Sequence, residues 1–379
     1  MSSSDGRSSP SAGIGRSVLQ ELRHTPVLWL LVLVPIVIVL EHLVPDSHTL
    51  LFFISVLAIV PLATLLSRAT EAVAARTGDA VGGLLNATLG NLTELVISLS
   101  ALRTGQYLLV KASLAGAIVT NTLFMLGGAF LLGGLKHHLQ EFNRVNARFQ
   151  ACLLFLATIA VLVPSIISEV DQPPPLAISQ NVSLGLSVIL IAVYALGMLF
   201  SLRTHKELFA SAGHADEEQA TWPLGLSIAI LVGVTVLVAL VSEIFVGSVQ
   251  VAAEHLGMTP AFVGFIVVAL VGAAAEMTTA FSAARADRLD LSVGIALGSA
   301  AQIALFVAPL LVIVSYVIGP EPMTLQFWPG AVTMMIVATV AATLLSNGGR
   351  GAWYAGVMAL ALYAIFAFTL FVLPPAGPT

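Results

Sequence analysis

Long apolar runs separated by short polar joins make up most of this chain. The runs fall near 27–44, 49–67, 80–102, 109–133, 149–168, 178–201, 222–245, 260–284, 289–316, 327–346 and 352–373. Each is close to the 20 or so residues that a helix needs to cross the hydrocarbon core of a bilayer. The joins carry turn and breaker residues, such as Pro45-Asp46, Asp171-Gln-Pro-Pro-Pro175, Gly319-Pro320 and Asn347-Gly-Gly349. The runs are too long for strands, and only helices or closed barrels can span a membrane. The pattern therefore predicts an all-α polytopic membrane protein of about 11 transmembrane helices.

Composition agrees: 58% of residues are hydrophobic and 9% charged, against about 25% charged in a soluble domain. One cysteine, Cys152, excludes an internal disulfide. Residues 1–26 are rich in Ser and Gly and lack the apolar core and cleavage site of a signal peptide. They are expected to form a disordered cytoplasmic tail.

Lys and Arg concentrate in cytoplasmic loops and so set the orientation. With the N-terminus inside, only Arg103 and Lys111 of the 15 basic residues fall on the far side. The C-terminal tail, 374–379, then lies opposite the N-terminus. The expected location is the cell (inner) membrane, with the lipid bilayer as the surrounding partner. Nothing points to nucleic acid, and a homo-oligomer is left open.

Two runs are copies at a constant offset of 182: Gly82-Gly-Leu-Leu-Asn-Ala-Thr-Leu-Gly-Asn-Leu-Thr-Glu94 and Gly264-Phe-Ile-Val-Val-Ala-Leu-Val-Gly-Ala-Ala-Ala-Glu276. Gly82 meets Gly264, Gly90 meets Gly272 and Glu94 meets Glu276, and the match continues through Arg103/Arg285 and Gly116/Gly298. Setting aside one extra N-terminal helix (27–48), the rest divides into a first five-helix repeat (49–201), a polar and acidic cytoplasmic linker (202–221) and a second repeat (222–373). A unit of five spans starts and ends on opposite faces, so the second copy is expected to be inverted. Inverted repeats are a transporter architecture, with the ion site near the midplane between the halves.

Glu94 and Glu276 lie deep in their runs, where charge is costly and marks an ion or proton pathway by default. From opposed halves they can converge. A hard dication such as Ca²⁺ takes several oxygen ligands, and two carboxylates neutralise it. Once it leaves, two adjacent buried anions repel and lose solvation, so protons should replace it. The alternative is a pair of structural carboxyl groups hydrogen-bonded inside the bundle. Gly90 and Gly272 either free backbone carbonyls beside a cation or permit close helix packing, and the two roles are compatible. Further oxygen groups stand nearby: Asn86, Asn91 and Ser98 in the first copy, Thr279 and Ser282 in the second. The next helices add Thr120 and Asn121, then Ser299 and Gln302. Such groups suit Ca²⁺, and no Cys or His cluster favours a softer metal. Each is also able to serve only as an interhelical hydrogen bond. Glu71 and Glu243, near helix ends, either line the approach or are solvated end charges.

The run ending at Glu94 resembles the first signature of the calcium/proton exchanger family, within the cation/calcium exchanger superfamily. Leu102-Arg-Thr-Gly-Gln106 and Val110-Lys-Ala-Ser-Leu114 continue the likeness. Asp290-Leu-Ser-Val-Gly-Ile-Ala-Leu-Gly-Ser299 and Gln302-Ile-Ala-Leu305 are similar to the second conserved region. The resemblance covers roughly 49–373. It implies ten core helices, export of Ca²⁺ against H⁺, no cofactor beyond the transported Ca²⁺, and Glu94 and Glu276 as the calcium- and proton-binding carboxylates. The family's second signature usually reads Gly-Asn-Ala-Ala-Glu-His, whereas this chain has Gly272-Ala-Ala-Ala-Glu-Met277. One amide and one imidazole are missing there, so selectivity or pH dependence is expected to differ.

A sodium-coupled exchanger, or one for another divalent cation, is the alternative within the same class. An intramembrane enzyme is the alternative outside it. An aspartyl protease would need a membrane Asp pair with Gly-x-Gly-Asp, and the nearest run, Arg76-Thr-Gly-Asp79, lacks the first Gly. Neither His-Glu-x-x-His nor a phosphate-binding loop occurs. The expectation is a transporter rather than an enzyme.

Overall fold

A computed structural model describes residues 26–77, 79–167, 175–209 and 222–373. The N-terminal tail, most of the polar linker and the C-terminal tail lie outside the described residues.

The fold is built from helices α1 (Pro26–Leu43), α2 (His48–Arg76), α3a (Asp79–Leu89), α3b (Leu92–Arg103), α4 (Tyr107–His137), α5 (Arg144–Ile167) and α6 (Leu176–Thr204). It continues with α7 (Leu224–His255), α8a (Pro260–Gly272), α8b (Ala274–Arg285), α9 (Leu289–Ile318), α10 (Pro329–Ser346) and α11 (Trp353–Val372). Strands β1 (Leu139–Glu141) and β2 (Arg350–Ala352) pair antiparallel and tie the end of α4 to the start of α11.

Among the described residues nine helices are long and apolar enough to cross a membrane, and α8a with α8b makes a tenth span bent by 57°. The run expected as one helix over 80–102 is likewise two shorter helices, α3a and α3b. Only the expectation that each repeated run forms one unbroken helix is corrected: both copies are broken, and at the same place. Gly90 weakens the helix before one break and Gly272 before the other. The next residues, Asn91 (φ −101°, ψ 34°) and Ala273 (φ −77°, ψ 1°), sit near the bridge region and end the regular turn. Apolar periodicity carries no trace of such a break, because the residues on both sides remain apolar.

Equivalent elements of the two halves pack on each other. The first helices of the halves, α2 and α7, lie side by side, with Phe52 stacked on Phe245 at 5.6 Å. The second and third elements cross between halves: α4 passes so close to α8a that a Cβ on Gly116 would overlap the backbone of Phe265. Helices α4 and α9 share a local widening into π geometry, at Thr120–Met125 and at Ile303–Val307, equivalent positions at the repeat offset. Such insertions re-aim side chains and recur at functional sites.

The segment between α9 and α10 is an extended strap packed into the bundle. Its backbone N–H groups at Met323, Leu325 and Phe327 donate to the hydroxyls of Ser315 (2.7 Å), Ser183 (3.0 Å) and Ser165 (3.0 Å). Buried irregular backbone must find such partners, and the alternation seats Met323, Leu325 and Phe327 in the core.

Candidate functional site

The breaks in α3 and α8 position both carboxylates. Glu94 is the third residue of α3b and Glu276 the third of α8b, so each lies in the first turn of a half-helix directly after the C-terminal end of another. Half-helix C-terminal ends and unwound carbonyls favour cations, and this is how broken membrane helices build ion sites.

The halves interlock through the glycines. A Cβ on Gly272 would stand 3.0 Å from Glu94 Cγ and Oε1, so the carboxylate of the first half rests on the turn that leads into Glu276. Reciprocally, the Gln302 amide lies against Gly90, with Oε1 3.4 Å from where its Cβ would be. Close approach, rather than a positive φ, explains glycine at both places. Gly272→Ala should therefore push the Glu94 carboxylate back and weaken cation affinity by about tenfold, without blocking insertion. An unchanged cation KM in vesicles would contradict this packing.

A polar chain runs across the site: Asn121 Nδ2 donates to Ser299 Oγ (2.8 Å), which donates to Asn91 Oδ1 (2.8 Å). Five buried polar atoms of the cluster have no hydrogen-bond partner among the described residues: Asn91 Nδ2, Glu94 Oε1, Asn121 Oδ1, Glu276 Oε2 and Gln302 Nε2. Unsatisfied buried polar atoms are rare and costly. Gathered in one cluster, they leave several buried oxygen and nitrogen atoms with unused hydrogen-bonding and coordinating capacity. Among the described residues no three His, Cys, Asp or Glu side chains are grouped for a metal, so amide, hydroxyl and backbone oxygens must complete any coordination shell. Rotation of the Gln302 amide presents either its oxygen or its nitrogen.

A cavity of about 440 Å³ leads to this cluster. Glu276, Ser299, Gln302 and Gly90 line it together with Asn86 and Thr279, whereas Glu94 is not among the lining residues and is 7% exposed. Glu71, bonded by Ser67 (3.1 Å), lies on the cavity wall near the end of α2. The wall also includes the starts of α5 and α9 and the end of α6; together with the end of α2 these ends carry Arg76, Arg144, Arg148, Arg203 and Arg288. The cavity thus opens to the basic face of the molecule.

Other expected residues are placed elsewhere. Glu243 pairs with Arg103 at 2.7 Å, on the opposite face from the cavity. Thr120 shares a 3.3 Å hydrogen bond with the Tyr363 hydroxyl. Ser98 is buried in α3b one turn beyond Glu94, and Ser282 is exposed and does not line the cavity. Ala273 and Met277 pack with Met125, Phe130 and Ala280 in an apolar cluster, so the groups missing from the second run are replaced by hydrocarbon. Sequence reasoning passed over Asn146, Gln150 and Asp290, all on the cavity wall. For Asn146 and Gln150 the signal is a polar residue at every fourth position at the start of an apolar span.

A family model described as sodium/calcium exchanger protein matches residues 47–203 and 226–372. The chain belongs to that family. A Ca²⁺/H⁺ antiporter of Synechocystis sp. is 39% identical over 349 residues, 88% of this chain and 94% of that protein. The Ca²⁺/H⁺ antiporter ChaA of Bacillus subtilis is 37% identical over 366 residues, covering 96% and 97% of the two chains. The structure of native YfkE superposes with a TM-score of 0.77 at 34% identity, over 91% of this chain and 100% of that one. An H⁺/Ca²⁺ exchanger CAX structure shares the fold with a TM-score of 0.72 at 15% identity, over 95% and 89%. The resemblance carried by the Glu94 run is borne out. This family member is an integral, multi-pass, all-α membrane protein and a transporter.

Proposed function

We propose that the protein is a secondary antiporter that exports Ca²⁺ from the cytoplasm in exchange for H⁺, by alternating access at a site shared by Glu94 and Glu276. The observation that carries this reading is the approach of two repeat-related carboxylates: each stands at the start of a half-helix, Glu94 rests on the Gly272 turn that leads into Glu276, and Glu276 lines a cavity open to one face. One dication or protons satisfy the pair, but not both at once, and that exclusion is the coupling. Asn91, Ser299 and Gln302 add neutral oxygens, and the backbone around Gly90 and Gly272 adds carbonyls. Asn86, Thr279 and Glu71 line the approach. The names and similarity of the antiporter relatives support Ca²⁺ and H⁺ as the substrates.

The two five-helix units (49–201 and 222–373) act as inverted repeats, joined by the cytoplasmic linker 202–221 and preceded by the extra helix 27–48. With the N-terminus in the cytoplasm of a cell with this protein in its inner membrane, the basic face is cytoplasmic, and the cavity then corresponds to an inward-open state. Everted vesicles given an acid interior should accumulate Ca²⁺, and the uptake should collapse with the pH gradient. A sodium gradient imposed instead separates the coupling ions: uptake driven by sodium and not by pH would overturn proton coupling.

A further inference from the structure

One face of α9 sets out a path from the basic face to the carboxylates. Asp290, Gly294, Gly298 and Gln302 recur every fourth residue and all line the cavity, at steps of about 6 Å along the helix. The path begins with an acid, passes two bare glycines and ends on the amide that rests on Gly90. Asp290 Oδ1 accepts the backbone N–H of Asn143 at 2.9 Å. Asn143 Oδ1 in turn accepts from the N–H groups of Val145 (2.9 Å) and Asn146 (3.0 Å), starting α5. The starts of α5 and α9 are thereby locked together.

Opposite the two glycines stand Asn146 and Gln150, one turn apart on α5. A Cβ on Gly294 would lie 3.7 Å from Asn146 Nδ2, and one on Gly298 would lie 4.0 Å from Gln150 Nε2. No side chain therefore separates these amides from the α9 backbone. Both amides face the cavity, and neither has a hydrogen-bond partner among the described residues. Amides that meet no protein partner among the described residues and face an open cavity keep their oxygens available to whatever enters it.

We propose that Asn146 and Gln150 form a carboxamide relay that takes a partly dehydrated divalent cation between the cavity mouth and Glu276, and so sets the affinity with which the cation is drawn in. Amide oxygens are hard ligands that replace water around Ca²⁺. Being neutral, they hold it weakly enough to pass it on, whereas a carboxylate at mid-path would trap it; conduction needs this balance. The bare glycine stripe keeps the path wide enough for an ion that retains part of its water. The inference rests on the exchange reading above and extends it to residues outside the carboxylate site.

The test is the Ca²⁺ dependence of pH-driven uptake into everted vesicles, which present the cavity face to the medium. Asn146→Leu combined with Gln150→Met keeps side-chain size and removes both oxygens. It should raise the KM for Ca²⁺ about tenfold and leave Vmax within about twofold. Asn146→Asp combined with Gln150→Glu keeps the oxygens and should hold KM at or below the wild-type value while slowing Vmax. An unchanged KM in the Leu/Met protein overturns the relay. So does a KM raised equally in both proteins, which would mean that the amide N–H groups hold structure. If the Leu/Met protein fails to insert, Gln150→Met alone should raise KM about threefold, and no change there is equally decisive. A wild-type protein that carries no Ca²⁺ would instead remove the exchange reading, and the relay with it.

Discussion

Glu94→Gln and Glu276→Gln are each expected to abolish pH-driven Ca²⁺ uptake while leaving the protein inserted and monodisperse. Glutamine keeps the size of the side chain, so the rest of Glu94 on Gly272 survives the change. What disappears is one of the two negative charges that the proposed site offers a cation. A dication and a carboxylate oxygen at about 2.4 Å attract by roughly 14 kcal/mol before desolvation, even at an effective dielectric constant of about 20. Dehydration cancels most of that, yet a net loss of about 3 kcal/mol already weakens binding more than about a hundredfold. The amide also cannot exchange a proton, so the second half of the cycle fails as well. Uptake by either variant at more than a few per cent of wild type, at matched protein in the membrane, would sink the paired-carboxylate mechanism. Unequal residual binding would be informative, because Glu276 faces the cavity while Glu94 lies behind it.

The second large effect is the pH dependence of cation affinity. In the proposed mechanism Ca²⁺ needs both carboxylates ionised, so its binding is expected to expel whatever protons the cation-free site holds. Acid therefore weakens Ca²⁺ binding and alkali strengthens it. Where both carboxyl groups are protonated in the metal-free protein, each unit fall in pH should raise the apparent Kd about a hundredfold; where only one is, about tenfold. A Ca²⁺ titration of the purified protein over a pH series reads this slope directly. A Gln at either position should lower the maximal slope by one proton. A flat profile from mildly acidic to neutral pH would contradict competition between protons and cation at a shared site. The absence of an imidazole beside Glu276, where Met277 stands, predicts that the slope comes from the carboxylates alone.

The copies are unequal in a way that one sequence could only suggest. Asn91 is buried and accepts a hydrogen bond from Ser299, whereas its counterpart Ala273 packs among hydrocarbon. The polar groups that meet the break before Glu94 therefore come from α9 of the second half, Ser299 on Asn91 and Gln302 on Gly90, and not from the second copy of the repeated run. This crossing of side chains between halves follows from the interlocking of Gly90 with Gln302 and of Gly272 with Glu94.

The sequence alone determined the membrane class, the approximate extent of the spans, the duplicated runs and the two carboxylates. The physical reason is that lipid leaves so few ways to bury charge. Hydrocarbon admits long apolar helices only, so any Glu within one stands out, and a constant offset between two of them needs no structure to find. Tertiary structure decided what periodicity does not encode. It broke both repeated helices one residue after their glycines, because Asn91 and Ala273 leave the helical region there. It gathered the unpaired atoms of Asn91, Glu94, Asn121, Glu276 and Gln302, and left Glu243 and Ser282 outside. It also turned Asn146 and Gln150 toward the glycines of α9, since which face of an apolar helix meets the cavity depends on the neighbours packed against it.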